Sequence, residues 1–176
     1  MIAQNGIQIS RQASALVRDN VVREHAYFPP ALPCIPFASC VTATGIILFD
    51  VNGSVEIDRN ELRRNQDGVG ISMATGNQVS DNRIIGGIQP SEIPGSGAGN
   101  GIVAESDTAG HRIIGNFLRD NVEFDCRDDS VGPNNPPALV ANIWRDNDGR
   151  TENRPGLCTD DRDDDDDDEE DEDDDD

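Results

Sequence analysis

One motif, met again and again along the chain, restricts the fold more than any other feature. Glycine followed by apolar residues at the first and third positions occurs as Gly6-Ile7-Gln8-Ile9, Gly45-Ile46-Ile47-Leu48, Gly68-Val69-Gly70-Ile71 and Gly101-Ile102-Val103-Ala104. Val122-Glu123-Phe124 keeps the apolar pair without the glycine. About 14 residues after each glycine comes a second unit, apolar-x-x-Asn-x-apolar. Its instances are Val17-x-x-Asn20-x-Val22, Ile57-x-x-Asn60-x-Leu62, Val79-x-x-Asn82-x-Ile84, Ile113-x-x-Asn116-x-Leu118 and Leu139-x-x-Asn142-x-Trp144. A fixed period of this length marks a stacked repeat architecture, in which one unit cannot bury its apolar face alone and its neighbours complete the core.

Each repeat supplies three short strands with alternate residues pointing inward. Stacked, they predict about five coils, parallel sheets with neighbours ~4.8 Å apart and an aliphatic interior. The recurring asparagine suits a turn needing a left-handed backbone, and its amide can bond the asparagine of the next coil. An asparagine ladder is therefore expected through Asn20, Asn60, Asn82, Asn116 and Asn142. Spacings of 40, 22, 34 and 26 residues between them imply a bare coil of about 22, with the excess as insertions at 26–44 and 87–100 on one edge of the stack. The stretch Ile114-Gly115-Asn116-Phe117-Leu118-Arg119-Asp120-Asn121 also aligns with Val140-Ala141-Asn142-Ile143-Trp144-Arg145-Asp146-Asn147. That alignment places Trp144 in an inward column, as core and not as a sugar-stacking platform.

Composition agrees with an all-β chain: 4% aromatic residues and 17 glycines suit short strands and tight turns. The formal net charge of −21 is concentrated at the end, where 160–176 carries 16 acids against one arginine and leaves only −6 for the body. Such a block repels itself and has nothing apolar to bury, so residues 1–158 are read as the folded domain and 159–176 as a disordered acidic tail. With every basic residue an arginine and none clustered, nucleic acid is not an expected partner, nor is an anionic membrane surface. No apolar run approaches the length of a membrane span, and the N-terminus shows no secretion signal.

Cys34, Cys40, Cys126 and Cys158 form an even set without the histidine spacing of a zinc site. They are read as two disulfides, which points to an oxidising, extracellular compartment. The missing leader, with a first strand that opens directly at Gly6, leads to the expectation of missing N-terminal coils or of end-to-end self-association through exposed strand edges.

The pattern from Gly6 to about Asn147 resembles the right-handed parallel β-helix repeat proteins, the superfamily of pectate lyases and polygalacturonases. Phe124-Asp125-Cys126-Arg127-Asp128-Asp129-Ser130, with Asn142-Ile143-Trp144-Arg145-Asp146-Asn147 and Pro155-Gly156-Leu157-Cys158, looks like the closing segment of bacterial secreted members. The resemblance implies that Cys126 pairs with Cys158 and clamps the last coil. It also implies that a polysaccharide, if bound, lies on the outer face of the first sheet. There the outward columns are expected to read Gln8, Ile47, Gly70, Val103, Glu123 and Ser10, Phe49, Ser72, Glu105, Asp125, which gathers acid at one end.

Glu105, Glu123, Asp125 and Arg127 are thus the candidate catalytic residues, with Asp107 beside them. Two carboxylates ~5–9 Å apart suit glycoside hydrolysis. Alternatively they hold Ca²⁺ while Arg127 abstracts a proton beside a uronate carboxylate, as in the lyases that the chain resembles. Against both stands the lack of any paired-Asp, Gly-His-Gly or Arg-Ile-Lys signature, and exposed acids on a sheet face are commonly just solvated. His25 and His111 have no partner at nucleophile-base spacing and are read as surface residues. The expectation is an extracellular β-helix module, non-catalytic and carbohydrate-binding or structural, with a polysaccharide lyase or glycoside hydrolase, or a piece of one, as the alternative.

Overall fold

The structure, a computed structural model, describes residues 5–26, 43–88, 98–132 and 141–159. Cys34, Cys40, Leu139 and the acidic stretch 160–176 lie outside the described residues. Among the described residues there are 14 strands and no helix. Strands β1 (Ile7–Ser10), β4 (Thr44–Phe49), β7 (Asp67–Ser72), β10 (Ile102–Ala104) and β13 (Cys126–Asp128) form the first sheet. The second contains β2 (Ala15–Arg18), β5 (Val55–Asp58), β8 (Gln78–Ser80), β11 (Arg112–Ile114) and β14 (Ile143–Arg145). The third contains β3 (Val21–Arg23), β6 (Glu61–Arg63), β9 (Arg83–Ile85) and β12 (Phe117–Arg119). Every pairing is parallel, and the chain visits the three sheets in turn, an arrangement compatible with a β-solenoid.

Register places like over like. Ile7, Ile46, Val69 and Ile102 form one inward column, and Val17, Ile57, Val79, Ile113 and Trp144 another. Val22, Leu62, Ile84 and Leu118 make the third. Ile46, Ile57, Leu62, Val69, Ile102, Ile113 and Leu118 are fully buried, each contributing about 1.5–3 kcal/mol. The glycine that opens each repeat is explained by the approach of the next circuit: a Cβ at Gly68 would lie 2.4 Å from the carbonyl oxygen of Gly101.

Between the second and third sheets the chain turns by an identical device in each circuit. Two residues after the inward position, the backbone enters the left-handed region at Asp19 (φ 56°), Arg59 (50°), Asp81 (53°), Gly115 (66°) and Asp146 (53°). The next residue is the ladder asparagine. The left-handed residue is thus the one before the asparagine, which corrects the expectation from sequence. Asn60 Oδ1 accepts from the backbone N and Nδ2 of Asn20, Asn82 Oδ1 from those of Asn60, and Asn116 Oδ1 from those of Asn82, all within 2.9–3.0 Å. The fifth rung is Asn147, not Asn142: Asn147 Oδ1 accepts from Asn116 N at 3.1 Å and Nδ2 at 2.9 Å. Asn142 belongs to the corner between the first and second sheets.

That corner carries its own ladder, and His111 is part of it. Asn77 Oδ1 accepts from Ser54 N and Val55 N. His111 Nδ1 accepts from Asn77 N at 3.1 Å, its Nε2 pairs with Ala74 O at 2.9 Å, and Asn142 Oδ1 accepts from His111 N. His111 is fully buried, which overturns its reading as a surface residue. His25 is half-buried, its backbone N donating to Asn65 Oδ1.

At the far end, Cys126 and Cys158 stand at disulfide distance, 6.2 Å from Cα to Cα, inside the core cluster. Glu152 accepts from the backbone N of Gly156, Leu157 and Cys158, folding that segment over the last circuit. Trp144 packs half-buried against the core and donates Nε1 to Asp128 Oδ2 at 2.6 Å.

Candidate functional site

The strand closing the first sheet is Cys126–Asp128, four residues beyond the Val122-Glu123-Phe124 expected there. Cys126 and Asp128 point inward and are fully buried, while Arg127 faces out beside Val103. The outward columns therefore read Gln8, Ile47, Gly70, Val103, Arg127 and Ser10, Phe49, Ser72, Glu105, with Asp129 following as its backbone N donates to Ala104 O. Glu123 and Asp125 leave the columns assigned to them.

Asp125 turns into the structure instead. Buried to 1% exposure, it accepts through Oδ1 from Asn121 Nδ2 (2.7 Å) and through Oδ2 from the backbone N of Arg150 (2.8 Å) and Thr151 (3.2 Å). A carboxylate so engaged ties the closing segment to the first sheet and has no lone pair directed at a ligand. Glu123 lies half-buried in the bend before the strand, its backbone N bonded to Gly99 O. Of the four candidates, Glu105 and Arg127 are brought together, and Glu123 and Asp125 are not.

What surrounds that pair is Asp129, Asp67 and Asp107. Arg127 donates from Nε (3.0 Å) and Nη2 (2.8 Å) to Asp129 Oδ2, while Asn153 Nδ2 donates to Asp129 Oδ1 at 2.9 Å. Burial works to lower the Arg127 pKa, but the hydrogen bond to Asp129 and the charges of Asp129, Glu105 and Asp67 outweigh it and raise the group above its ordinary value. Desolvation pushes the Glu105 carboxyl up, with Arg127 opposing and the neighbouring acids assisting. Desolvation also raises Asp67, whose Oδ1 accepts from Gly99 N, Asn100 N and Asn100 Nδ2 within 2.9–3.0 Å. Asp107 Oδ1 accepts from Met73 N. Among the described residues, no group of three or more His, Cys, Asp or Glu is placed to hold a metal ion.

Asp129 and Asp67 were missed from sequence. Asp129 carries a signal only once the register of β13 is known, and Asp67 precedes the repeat glycine at a place where the other circuits have Asn5, Thr44 and Asn100. Comparison with known proteins finds no family model, no curated protein and no solved structure that matches the chain.

Proposed function

We propose that this chain is a right-handed parallel β-helix module of the pectate lyase-like kind, exported to an oxidising compartment, that binds carbohydrate without transforming it. The parallel three-sheet circuit supports the fold part of this reading, and the Cys126–Cys158 pair supports the compartment. The observation that carries the non-catalytic part is the state of Arg127. A lyase base must give up its proton near neutral pH. Arg127 is instead bound to Asp129 through two nitrogens and held more firmly protonated than an ordinary arginine. Asp125, one of the carboxylates considered for a hydrolytic pair, accepts four hydrogen bonds from within the structure.

The enzymatic reading retains one favourable observation, the raised carboxyl of Glu105, which suits a general acid. Reducing-end and unsaturated-product release from a panel of plant and bacterial polysaccharides, with Ca²⁺ or chelator, separates the two. Retention of a polysaccharide on immobilised protein with no product is expected. Product formation that Glu105→Gln abolishes would replace the module by a hydrolase.

End-to-end self-association belongs to the same proposal. β1, β2 and β3 each pair on one side only among the described strands, and Leu16 and Val21 next to that edge are 59% and 66% exposed. Light scattering across a concentration series should show dimer or higher species.

A further inference from the structure

Resting on the carbohydrate reading, we infer that the saccharide site is the open groove at the corner between the first and second sheets, and that its ligand is a neutral polyol chain, not an acidic one. The groove has a volume of about 550 Å³ and runs along the stack over the first three circuits, bounded by Ser14, Leu16, Ser54, Glu56 and Gln78 with Gly53 and Gly76 in its floor.

The floor is the informative part. At this corner three successive circuits place glycine in the left-handed region: Gly53 (φ 68°), Gly76 (67°) and Gly110 (69°). The backbone does not require glycine for that conformation in this molecule. The neighbouring corner uses Asp19, Arg59, Asp81 and Asp146 at similar angles, and the third uses Glu24, Arg64 and Asp120. Nor does crowding demand it, since a Cβ on Gly53 would meet nothing closer than 4.0 Å and one on Gly76 nothing closer than 3.5 Å. What three glycines in register do here, and side chains would not, is keep the space above the corner empty.

The rim is built for hydroxyl groups. Glu56 and Gln78 occupy one outward column of the second sheet in register, and Leu16 precedes them in it. A carboxylate and a primary amide stacked on adjacent circuits offer planar acceptors and donors to vicinal hydroxyls, while Leu16 presents an apolar surface to the C–H face of a ring. Ser14 and Ser54 add hydroxyls on the other wall. The one charged lining residue is Glu56, so the groove repels a uronate or phosphate and accepts a neutral chain. The turn leading to the floor is held in place beforehand: Asn52 Nδ2 donates to Gln12 Oε1 and Thr75 Oγ1 to Asn52 Oδ1, both at 2.9 Å.

The test is calorimetric titration of the full chain with neutral oligosaccharides (xylo-, cello-, manno- and malto-hexaose) and with oligogalacturonate. Gly76→Asn, Glu56→Gln and Arg127→Ala are compared with the parent, each checked for an unchanged melting curve. Asparagine tolerates the left-handed backbone and fills the floor, and Glu56→Gln alters an exposed side chain, so a loss at either is not a folding defect. Expected is binding of a neutral hexaose that falls at least tenfold in Gly76→Asn and Glu56→Gln and is unchanged in Arg127→Ala, with oligogalacturonate not bound. Binding that survives both groove variants but is lost in Arg127→Ala would overturn the groove and leave the carbohydrate reading standing on the outer face of the first sheet. Preference for oligogalacturonate would overturn the neutral-ligand inference, and binding of no saccharide at all would overturn both.

Discussion

The corner between the second and third sheets and the corner between the first and second solve one problem in two ways. Both must turn a strand sharply while satisfying buried backbone groups. The former does so with a ladder of one residue type, every rung after Asn20 an asparagine whose Oδ1 takes two bonds from the circuit before. The latter mixes Asn77, His111 and Asn142, and leaves its outer side vacant above glycines. Uniformity gives rigidity at one corner, and the mixture gives the other a surface and a titratable group. Structural load and ligand access are thereby assigned to different edges of the same stack.

The largest effect should come from the uniform ladder. Asn82 donates to Ile57 O and Asn116 Oδ1 and accepts from Asn60 N and Nδ2, all in the interior. Asn82→Ala strands several buried partners and should cost about 3 kcal/mol or more in denaturant unfolding. Asn52→Ala, at the open corner, should stay within about 0.5 kcal/mol. Equal losses at the two would dissolve the distinction.

His111 sharpens the comparison through pH. Burial holds its imidazole below the ordinary histidine value, opposed by its bond to Ala74 O and by the charge of Asp128. Its Nδ1 accepts from Asn77 N, so the proton that would convert it to a cation has no acceptor there. The unfolded chain takes up that proton near pH 6.5 and the folded chain does so only lower. The His111 contribution is therefore complete above about pH 6.5 and declines as pH falls below it, by at most ~1.4 kcal/mol per unit. Asp67 and Glu105, whose carboxyls are raised, act in the opposite direction, so the informative quantity is the difference between the parent and His111→Asn. Replacing the odd rung by the regular one should remove that acid-dependent difference, and a parallel pair of stability curves from pH 7 to 5 would show that His111 is an ordinary rung.

A smaller contrast lies in the glycines. A Cβ on Gly115 would meet Asp81 Oδ1 at 2.7 Å with φ at 66°, and Gly115→Ala should lower stability by about 1–2 kcal/mol. Gly53→Asn, with open space above it, should cost less than about 1 kcal/mol. If Gly53→Asn proved the more damaging, the glycine column would be a folding requirement and not a floor.

The legibility of the sequence followed the same division. Four of five circuits could be read from it, including the inward columns, the first four rungs and the strands β1, β4, β7 and β10, because aliphatic residues at fixed spacing leave few ways to stack. The last circuit was misread by one corner. Ile143-Trp144-Arg145-Asp146-Asn147 stacks on Arg112-Ile113-Ile114-Gly115-Asn116, five residues from the alignment that similarity suggested. Leu62-Arg63-Arg64-Asn65 and Leu118-Arg119-Asp120-Asn121, which follow the third sheet, have the same four-residue pattern as Trp144-Arg145-Asp146-Asn147 after the second: an inward residue, a variable one, a left-handed one, then asparagine. Glu123 and Asp125 leave their expected columns for a related reason. The inward residues of β13 are Cys126 and Asp128, and a buried carboxylate bonded to Trp144, Asn142 and Ser130 carries no hydrophobic signal. Val122-Glu123-Phe124 mimicked the strand better than the strand did. Glu105 keeps its expected place just beyond β10, whereas Arg127, expected in the turn after the sheet, faces out from the strand itself beside Val103.

Interchangeable corners have a consequence for how the molecule assembles. A four-residue pattern that occurs at both corners gives the last circuit an alternative thread, offset by a third of a turn. Only features that occur once can reject it. In this chain they lie together at the end, where Trp144 Nε1 reaches Asp128 and Cys126 reaches Cys158. A chain threaded with that offset would bring Trp144 and Asp128, and Cys126 and Cys158, to different edges, so these two contacts belong to the observed threading alone.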